Sequence, residues 1–354
     1  MPELQGVGDD QAATQLCSGL NPVPESGLAA CTLWTALFCA VSYSGTWLAI
    51  QYALRHRLID QPGERRSHMI ATPRGGGIGI VVALLMATVW LILRNPQHAC
   101  LLSSFAIGLA LVAGIGWADD HRPRSPWSRL AIQAVAALLL GWGIWQESGS
   151  VMAVAGAFMT AMVLVNVWNF MDGIDGLAAS QAAIAALAFG VAAGQGPVTS
   201  LAFALAAACL GFLPFNLPRA RIFLGDVGSG ALGYALAALA IWLAMQDWMH
   251  APGLLLPLSA FLIDATLTLA TRIVRRQAWW LPHTEHAYQH WTRRCGWHGR
   301  VTLAYAVWSV VASGLMLIGR TTASAFMMAA LLTTYLAGWV LWIWLRRPLS
   351  DAAA

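Results

Sequence analysis

From residue 28 to residue 345 the chain is a succession of apolar stretches, near 28–54, 75–93, 99–117, 130–146, 150–168, 177–194, 198–215, 228–246, 252–270, 301–319 and 322–345. They approach or exceed the roughly 17–25 residues that a helix needs to cross a bilayer core. The count is eleven, or ten if Gly194-Gln195-Gly196-Pro197 does not separate two spans. Composition agrees: 58% of residues are hydrophobic and 10% charged, with a mean hydropathy of +0.62, whereas an average soluble domain is roughly 25% charged. The expected fold is an all-α polytopic membrane protein. A single integral-membrane domain covers 28–347, between polar tails at 1–27 and 348–354, and no soluble domain fits in loops this short.

The chain has no lysine, so its 20 basic residues are all arginine, and their placement sets the orientation by the positive-inside rule. With eleven spans and a periplasmic N-terminus, Arg94 and Arg320 face outward and the other 18 arginines face the cytoplasm, as does the C-terminus. An arginine-rich cytoplasmic face calls for an anionic partner, either lipid headgroups or a phosphorylated substrate. No nucleic-acid motif occurs. The six cysteines show neither CxxC spacing nor a paired framework and read as small apolar fillers. Residues 1–27 lack a basic stretch before the first span, so they are not expected to be a cleavable signal peptide.

The acids are sparse, and their positions are informative. "NVWNFMDGIDGLAAS" ends a long charge-free run with Asp172 and Asp175 set three apart among glycines. Asp119 and Asp120 ("GWADDH") end the third span, and Asp226 ("FLGDVGSG") precedes the eighth. On the topology above all five face the cytoplasm, together with most of the arginines. Asp-Gly turns often serve only as helix caps. Two aspartates three apart on a helix, however, share a face and repel, and a cation would relieve that repulsion. The set therefore suggests a phosphate held by a metal.

Other stretches have simpler readings. "TPRGGGIGI" reads first as a flexible entry into a span; it lacks the Gly-Lys-Ser/Thr of a P-loop. His283, His286 and His290 share a helical face, with Cys295 and His298 beyond, and zinc is the lesser reading of that group. Asp264, inside the ninth span, reads as a buried, hydrogen-bonded acid. The competing function is a cation-coupled transporter using the acids as an ion relay, which predicts mid-span acids.

Five ordered stretches, "PGERRSHMIATPRGGG", "GWADD" followed by Arg129, "NVWNFMDGIDGLA", "FNLPRARIFLGDVGSGALG" and "HTEHAYQHW", resemble the polyprenyl-phosphate N-acetylhexosamine-1-phosphate transferase family over about residues 55–300. The wording of the last one is similar to the branch that starts O-antigen chains. The resemblance implies transfer of N-acetylhexosamine 1-phosphate from a UDP-sugar to undecaprenyl phosphate, releasing UMP at the cytoplasmic face of the bacterial inner membrane. It implies Mg²⁺, with Mn²⁺ an acceptable substitute, held by Asn169 and Asp226. Asp172 and Asp175 would hold the nucleotide and support the metal shell, Asp119 and Asp120 would handle the acceptor, and His283 or His286 the diphosphate. Arg129, at a position that is often Lys, would hold phosphate; Arg74, Asn166 and Arg221 join the substrate contacts, and Asn216 and Phe223 match positions at the uracil. The implied partners are UDP-N-acetylhexosamine, undecaprenyl phosphate and membrane lipids, with a homodimer allowed and nucleic acid excluded.

Overall fold

The computed structural model describes residues 25–61, 71–278, 280–281 and 283–347. The C-terminal tail, most of the N-terminal tail and the stretch around Glu64, Arg65 and Arg66 lie outside the described residues; the last three residues assigned to the N-terminal tail open the first helix. Twelve α-helices occur among the described residues: α1 Glu25–His56, α2 Ile78–Arg94, α3 Ala99–His121, α4 Pro126–Ser148, α5 Val151–Met171, α6 Leu177–Ala193, α7 Pro197–Asn216, α8 Asp226–Gln246, α9 Ser259–Val274, α10 Ala287–Cys295, α11 His298–Arg320 and α12 Ser324–Arg346. A two-residue antiparallel pair, β1 Ile59–Asp60 with β2 Thr72–Pro73, lies between α1 and α2.

Eight of these helices are long and apolar enough to cross a membrane: α1, α3, α4, α5, α7, α8, α11 and α12. The helices α2 and α6 are apolar but shorter, at 17 residues each. Of the eleven expected spans, ten correspond to eight full-length helices and two short ones among the described residues. The run at 252–270 differs most, because a 3₁₀ segment at Ala251–Leu255 interrupts it and α9 starts only at Ser259. The break at Gly194–Pro197 does separate two helices, with both Gly194 and Gly196 at positive φ.

Local chemistry sets these boundaries. Ser125 caps α4 by accepting from the Trp127 N–H, with Pro126 at the first helical position, and Gly149 ends the helix in the left-handed conformation. Ser150 then caps α5 through the Ala153 N–H.

The bundle is built round α8, in which every residue from Val227 to Ala244 is buried. It packs against α5 and α3 most extensively, and also meets α2, α4, α6 and α7. A helix apolar all round belongs in an interior, and the Gly/Ala content of α8 lets neighbours approach closely, which is how membrane helices gain packing energy. At Gly233 an added Cβ would run into the Leu164 carbonyl of α5.

Because the helices alternate in direction, their ends sort the charges. Apart from Arg94 and Arg320, the described arginines lie at the end that carries Asp119, Asp172 and Asp226. At the other end His98 Nδ1 stands 3.0 Å from Glu147, His250 Nδ1 2.7 Å from Asp247, and Arg320 3.8 Å from Asp247.

The α5–α8 contact gives a direct check. Gly233→Leu should cost about 1–3 kcal/mol through overpacking, lowering the unfolding temperature in detergent. Gly314→Ala should leave it unchanged or raise it, since a Cβ there meets nothing.

Candidate active site

Four helix ends meet where the sequence clusters its acids. Arg129, in the first turn of α4, lies between them: its Nη1 is 3.1 Å from Asp119 Oδ2 at the end of α3 and 3.1 Å from Asp226 Oδ2 at the start of α8. Its Nη2 donates to Asn169 Oδ1 in the last turn of α5 at 2.9 Å. Asn169 Nδ2 in turn donates to Asp226 Oδ1 at 3.0 Å and to Ser229 Oγ at 3.2 Å. One guanidinium thus links three helix ends to its own, and its fork geometry suits the oxygens of a carboxylate or a phosphate alike.

Asp119 and Asp120 diverge, as adjacent side chains must. Asp119 faces Arg129 and also accepts from the Arg124 N–H at 2.5 Å. Asp120 is buried and caps α8 from outside that helix, accepting from the Asp226 N–H at 3.1 Å and the Val227 N–H at 3.2 Å. Arg74 donates to the Asp120 carbonyl and stands 4.0 Å from its carboxylate. Gly225, at φ +76°, permits this cap, since a Cβ there would press on both Asp120 and Gly75.

"TPRGGG" is held in place rather than being a flexible entry. The Phe223 N–H donates to the Pro73 carbonyl at 2.8 Å, and the Gly76 and Gly77 N–H groups donate to Phe223 and Leu224 at 2.9 Å each. Phe223 is left partly exposed beside this pairing. Asn216 is buried, with Oδ1 accepting from the Gly176 N–H at 2.6 Å and Nδ2 donating to the Ile222 carbonyl at 2.8 Å, so it ties the DGIDG turn to the loop before α8. Arg221 is exposed, its guanidinium 4.8 Å from the Phe215 ring. Asn166 lies one helical turn deeper than Asn169 and donates to Gln133 Oε1 at 3.0 Å, apart from the carboxylates.

The two acids of the DGIDG turn also differ. Asp175 Oδ2 is 3.3 Å from His298 Nδ1 and accepts from the Ala220 N–H at 3.3 Å. No hydrogen bond or ion pair reaches the Asp172 carboxylate among the described residues. Burial, and then the charges of Asp226, Asp120 and Asp175, push its carboxyl well above the ordinary carboxylate range.

His283 and His286 precede α10 instead of sharing its face with His290. Their rings stack 4.9 Å apart, and the His286 ring lies 6.3 Å from Phe170, next to Asn169. Partial burial, followed by the charges of His286 and Arg272, pulls His283 down to about 4, which leaves it neutral near pH 7. No group of three or more His, Cys, Asp or Glu side chains able to hold a metal occurs among the described residues, so neither the zinc reading nor a pre-formed carboxylate cage gains support. Asp226 and Asn169, joined by a hydrogen bond at 3.0 Å, carry oxygens of the type a hard divalent cation takes when it keeps several waters and uses one or two carboxylates. Asp264, the mid-run acid, accepts from the Ala287 N–H at 2.8 Å, the Tyr288 N–H at 3.0 Å and the Tyr305 hydroxyl at 2.9 Å, as a buried, hydrogen-bonded acid should.

Sequence pattern alone does not point to roles for His298, Ser229 or Tyr288. His298 stands out in the chain only as a candidate metal ligand, and its pairing with Asp175 spans 123 residues.

The profile of glycosyl transferase family 4 matches residues 101–244, the region that supplies α3, α4, α5 and nearly all of α8. The chain is 30% identical over 318 residues to a decaprenyl-phosphate N-acetylglucosaminephosphotransferase of Mycobacterium tuberculosis, covering 77% of this chain and 79% of that protein. It is 29% identical to the protein of the same name from Mycobacterium leprae, over 77% and 80% of the two chains. A phospho-N-acetylmuramoyl-pentapeptide-transferase of Nostoc punctiforme is 32% identical over 68% of this chain and 74% of its own. This is a helical, multi-span membrane protein with a polar, arginine-bridged site at one end of its bundle. It belongs to glycosyl transferase family 4, the polyprenyl-phosphate hexosamine-1-phosphate transferases.

The Asp172 carboxyl makes a pH-dependent check available. Its raised pKa means that the folded chain, free of divalent cations, holds a proton at pH values where the unfolded chain has lost it. Stability therefore falls as pH rises through that window. Asp172→Asn removes the penalty. In EDTA it should raise the unfolding temperature at neutral pH, with the gain shrinking toward zero below the ordinary carboxylate pKa of about 3.9. A gain that stays constant with pH would count against it.

Proposed function

We propose that the protein transfers N-acetylhexosamine 1-phosphate from a UDP-sugar to undecaprenyl phosphate, releasing UMP and starting a lipid-linked glycan of the O-antigen kind. The orientation argued from the arginines puts this reaction at the cytoplasmic face of a bacterial inner membrane, with the N-terminus periplasmic and the C-terminus cytoplasmic. The observation that carries the reading is the arrangement round Arg129: one cation joins Asp119, Asp226 and Asn169, while Asp172, close enough to feel the charges of Asp226 and Asp120, has no partner among the described residues. Such a site favours additional positive charge and phosphate oxygens together. The relatives' names specify decaprenyl phosphate and N-acetylglucosamine phosphate in one case and phospho-N-acetylmuramoyl-pentapeptide in the other.

In this reading Asp226 and Asn169 hold Mg²⁺, or Mn²⁺ in its place, and Asp172 and Asp175 support its shell. The metal supplies charge neutralisation at the phosphates, the main requirement of phosphoryl transfer. An oxygen of the acceptor phosphate attacks the sugar-side phosphorus, and the bond to the bridging oxygen breaks so that UMP leaves with that oxygen. A phosphate monoester has a second pKa of about 6, so the acceptor is mostly dianionic near neutral pH. Asp119, facing Arg129, orients it and takes any remaining proton. Arg129 holds phosphate once ligands draw it from the carboxylates, and Phe223 offers its partly exposed ring to the uracil.

The test is UMP release by purified protein in detergent with undecaprenyl phosphate and a panel of UDP-sugars. Turnover should depend on Mg²⁺ or Mn²⁺, stop with EDTA and be abolished by Asp226→Asn without loss of fold; full activity of that variant at limiting Mg²⁺ would exclude its role. Phe223→Ala should weaken donor binding by about 1–3 kcal/mol, the worth of base stacking on an aromatic ring, and leave the Michaelis constant for the lipid unchanged.

A further inference from the structure

The histidine segment before α10 is held by one face of α9. Asp264, Thr268 and Arg272 lie four residues apart on that face, and all three are buried. The Asp264 carboxylate takes four donors: Ala287 N–H at 2.8 Å and Thr268 Oγ1 at 3.2 Å on Oδ1, Tyr288 N–H at 3.0 Å and Tyr305 hydroxyl at 2.9 Å on Oδ2. It therefore caps α10, a service that needs only the two backbone donors. Two turns further along, Arg272 pairs with Glu285 and donates to the Ala278 carbonyl at 3.0 Å. The segment is gripped before and after its histidines.

One geometric fact exceeds capping. His286 Nδ1 points at Asp264 Oδ1 across 3.5 Å, in a buried position where that nitrogen has no hydrogen bond. A buried carboxylate this close to an imidazole nitrogen biases the ring toward it by charge attraction, without a hydrogen bond between them. The ring stacks on His283 at 4.9 Å and lies 6.3 Å from Phe170, and the Tyr288 hydroxyl donates to the Phe170 carbonyl at 3.1 Å. Phe170 lies between Asn169 and Asp172, so the contact runs directly into the carboxylate turn.

We propose that Asp264 is a positioning residue, which through its grip on His286 presents the histidine pair to the diphosphate of the nucleotide-sugar; this rests on the transfer reaction proposed above. It does not touch substrate. Beyond capping α10, its effect on turnover passes through His286 and is felt by the donor and not by the lipid acceptor.

Asp264→Asn, His286→Ala and the double variant, each in the full chain, test this by UMP release with Mg²⁺, titrating UDP-sugar and undecaprenyl phosphate separately, with thermal unfolding measured alongside. Each single change should raise the donor Michaelis constant roughly tenfold, within the range of interaction energies found between residues in contact. The acceptor constant should hold within about twofold. The double variant should be no worse than His286→Ala, because coupled residues are not additive. Additive losses, an equal rise in both constants, or an unchanged donor constant would reduce Asp264 to a helix cap and overturn the inference. If Asp264→Asn loses its fold, Tyr305→Phe takes its place in the same cycle: it removes one of the four donors and spares the cap, and the same non-additivity is expected. Unmodified protein that releases no UMP from any UDP-sugar would refute the transfer reaction itself, a result separable from any of these.

Discussion

The polar end of the bundle depends on how the N-terminus of a completely buried helix is satisfied. The first N–H groups of α8 have no partner within their own helix, and in an apolar surround each costs free energy if left unmet. Asp120, reaching across from α3, accepts from two of them. That clasp fixes the register of α3 against α8 and therefore places Asp119, one residue earlier, opposite Asp226. Arg129 and Asn169 close the ring from α4 and α5. The same device recurs at α10, where Asp264 of α9 takes the first two N–H groups. Two of the chain's aspartates thus use their charge to hold helix ends where other side chains need them.

The remaining charges divide the work. Arg129 neutralises part of the repulsion among Asp119, Asp226 and their neighbours, and His298 meets Asp175. Asp172 is left without a partner among the described residues, which is unfavourable for folding and favourable for receiving positive charge. The backbone pairing of the Pro73–Gly77 stretch with Phe223 and Leu224 supplies a rigid wall beside these groups, so the polar chemistry rests on helix ends and short hydrogen-bonded loops.

Much of this arrangement is legible in the order of residues along the chain. Hydropathy marks the spans because the requirement is one-dimensional: enough consecutive apolar residues to cover a bilayer core. Where the requirement is not one-dimensional, the pattern misleads. The run at 252–270 is apolar enough, yet its helix starts at Ser259, since the preceding Pro-Gly segment settles into a 3₁₀ turn. "TPRGGG" resembles loose chain by composition, but its N–H and carbonyl groups find partners near residue 223 that no local pattern announces. Asn166, placed among the substrate contacts by its motif, is turned by helical geometry toward Gln133, a turn away from Asn169.

The sequence by itself determined the class of fold, the gathering of acids and arginines at one end of the bundle, and the family, because length, hydropathy, charge order and motif spacing are properties of the chain as written. Only the tertiary structure decided the duty of each acid: Asp120 and Asp264 as caps, Asp175 with His298, Asp119 and Asp226 on Arg129, and Asp172 with no described partner. Those pairings join residues as much as 123 positions apart. A carboxylate's role depends on which N–H group or cation is brought within about 3 Å of it, and helix packing, not sequence neighbourhood, sets that distance.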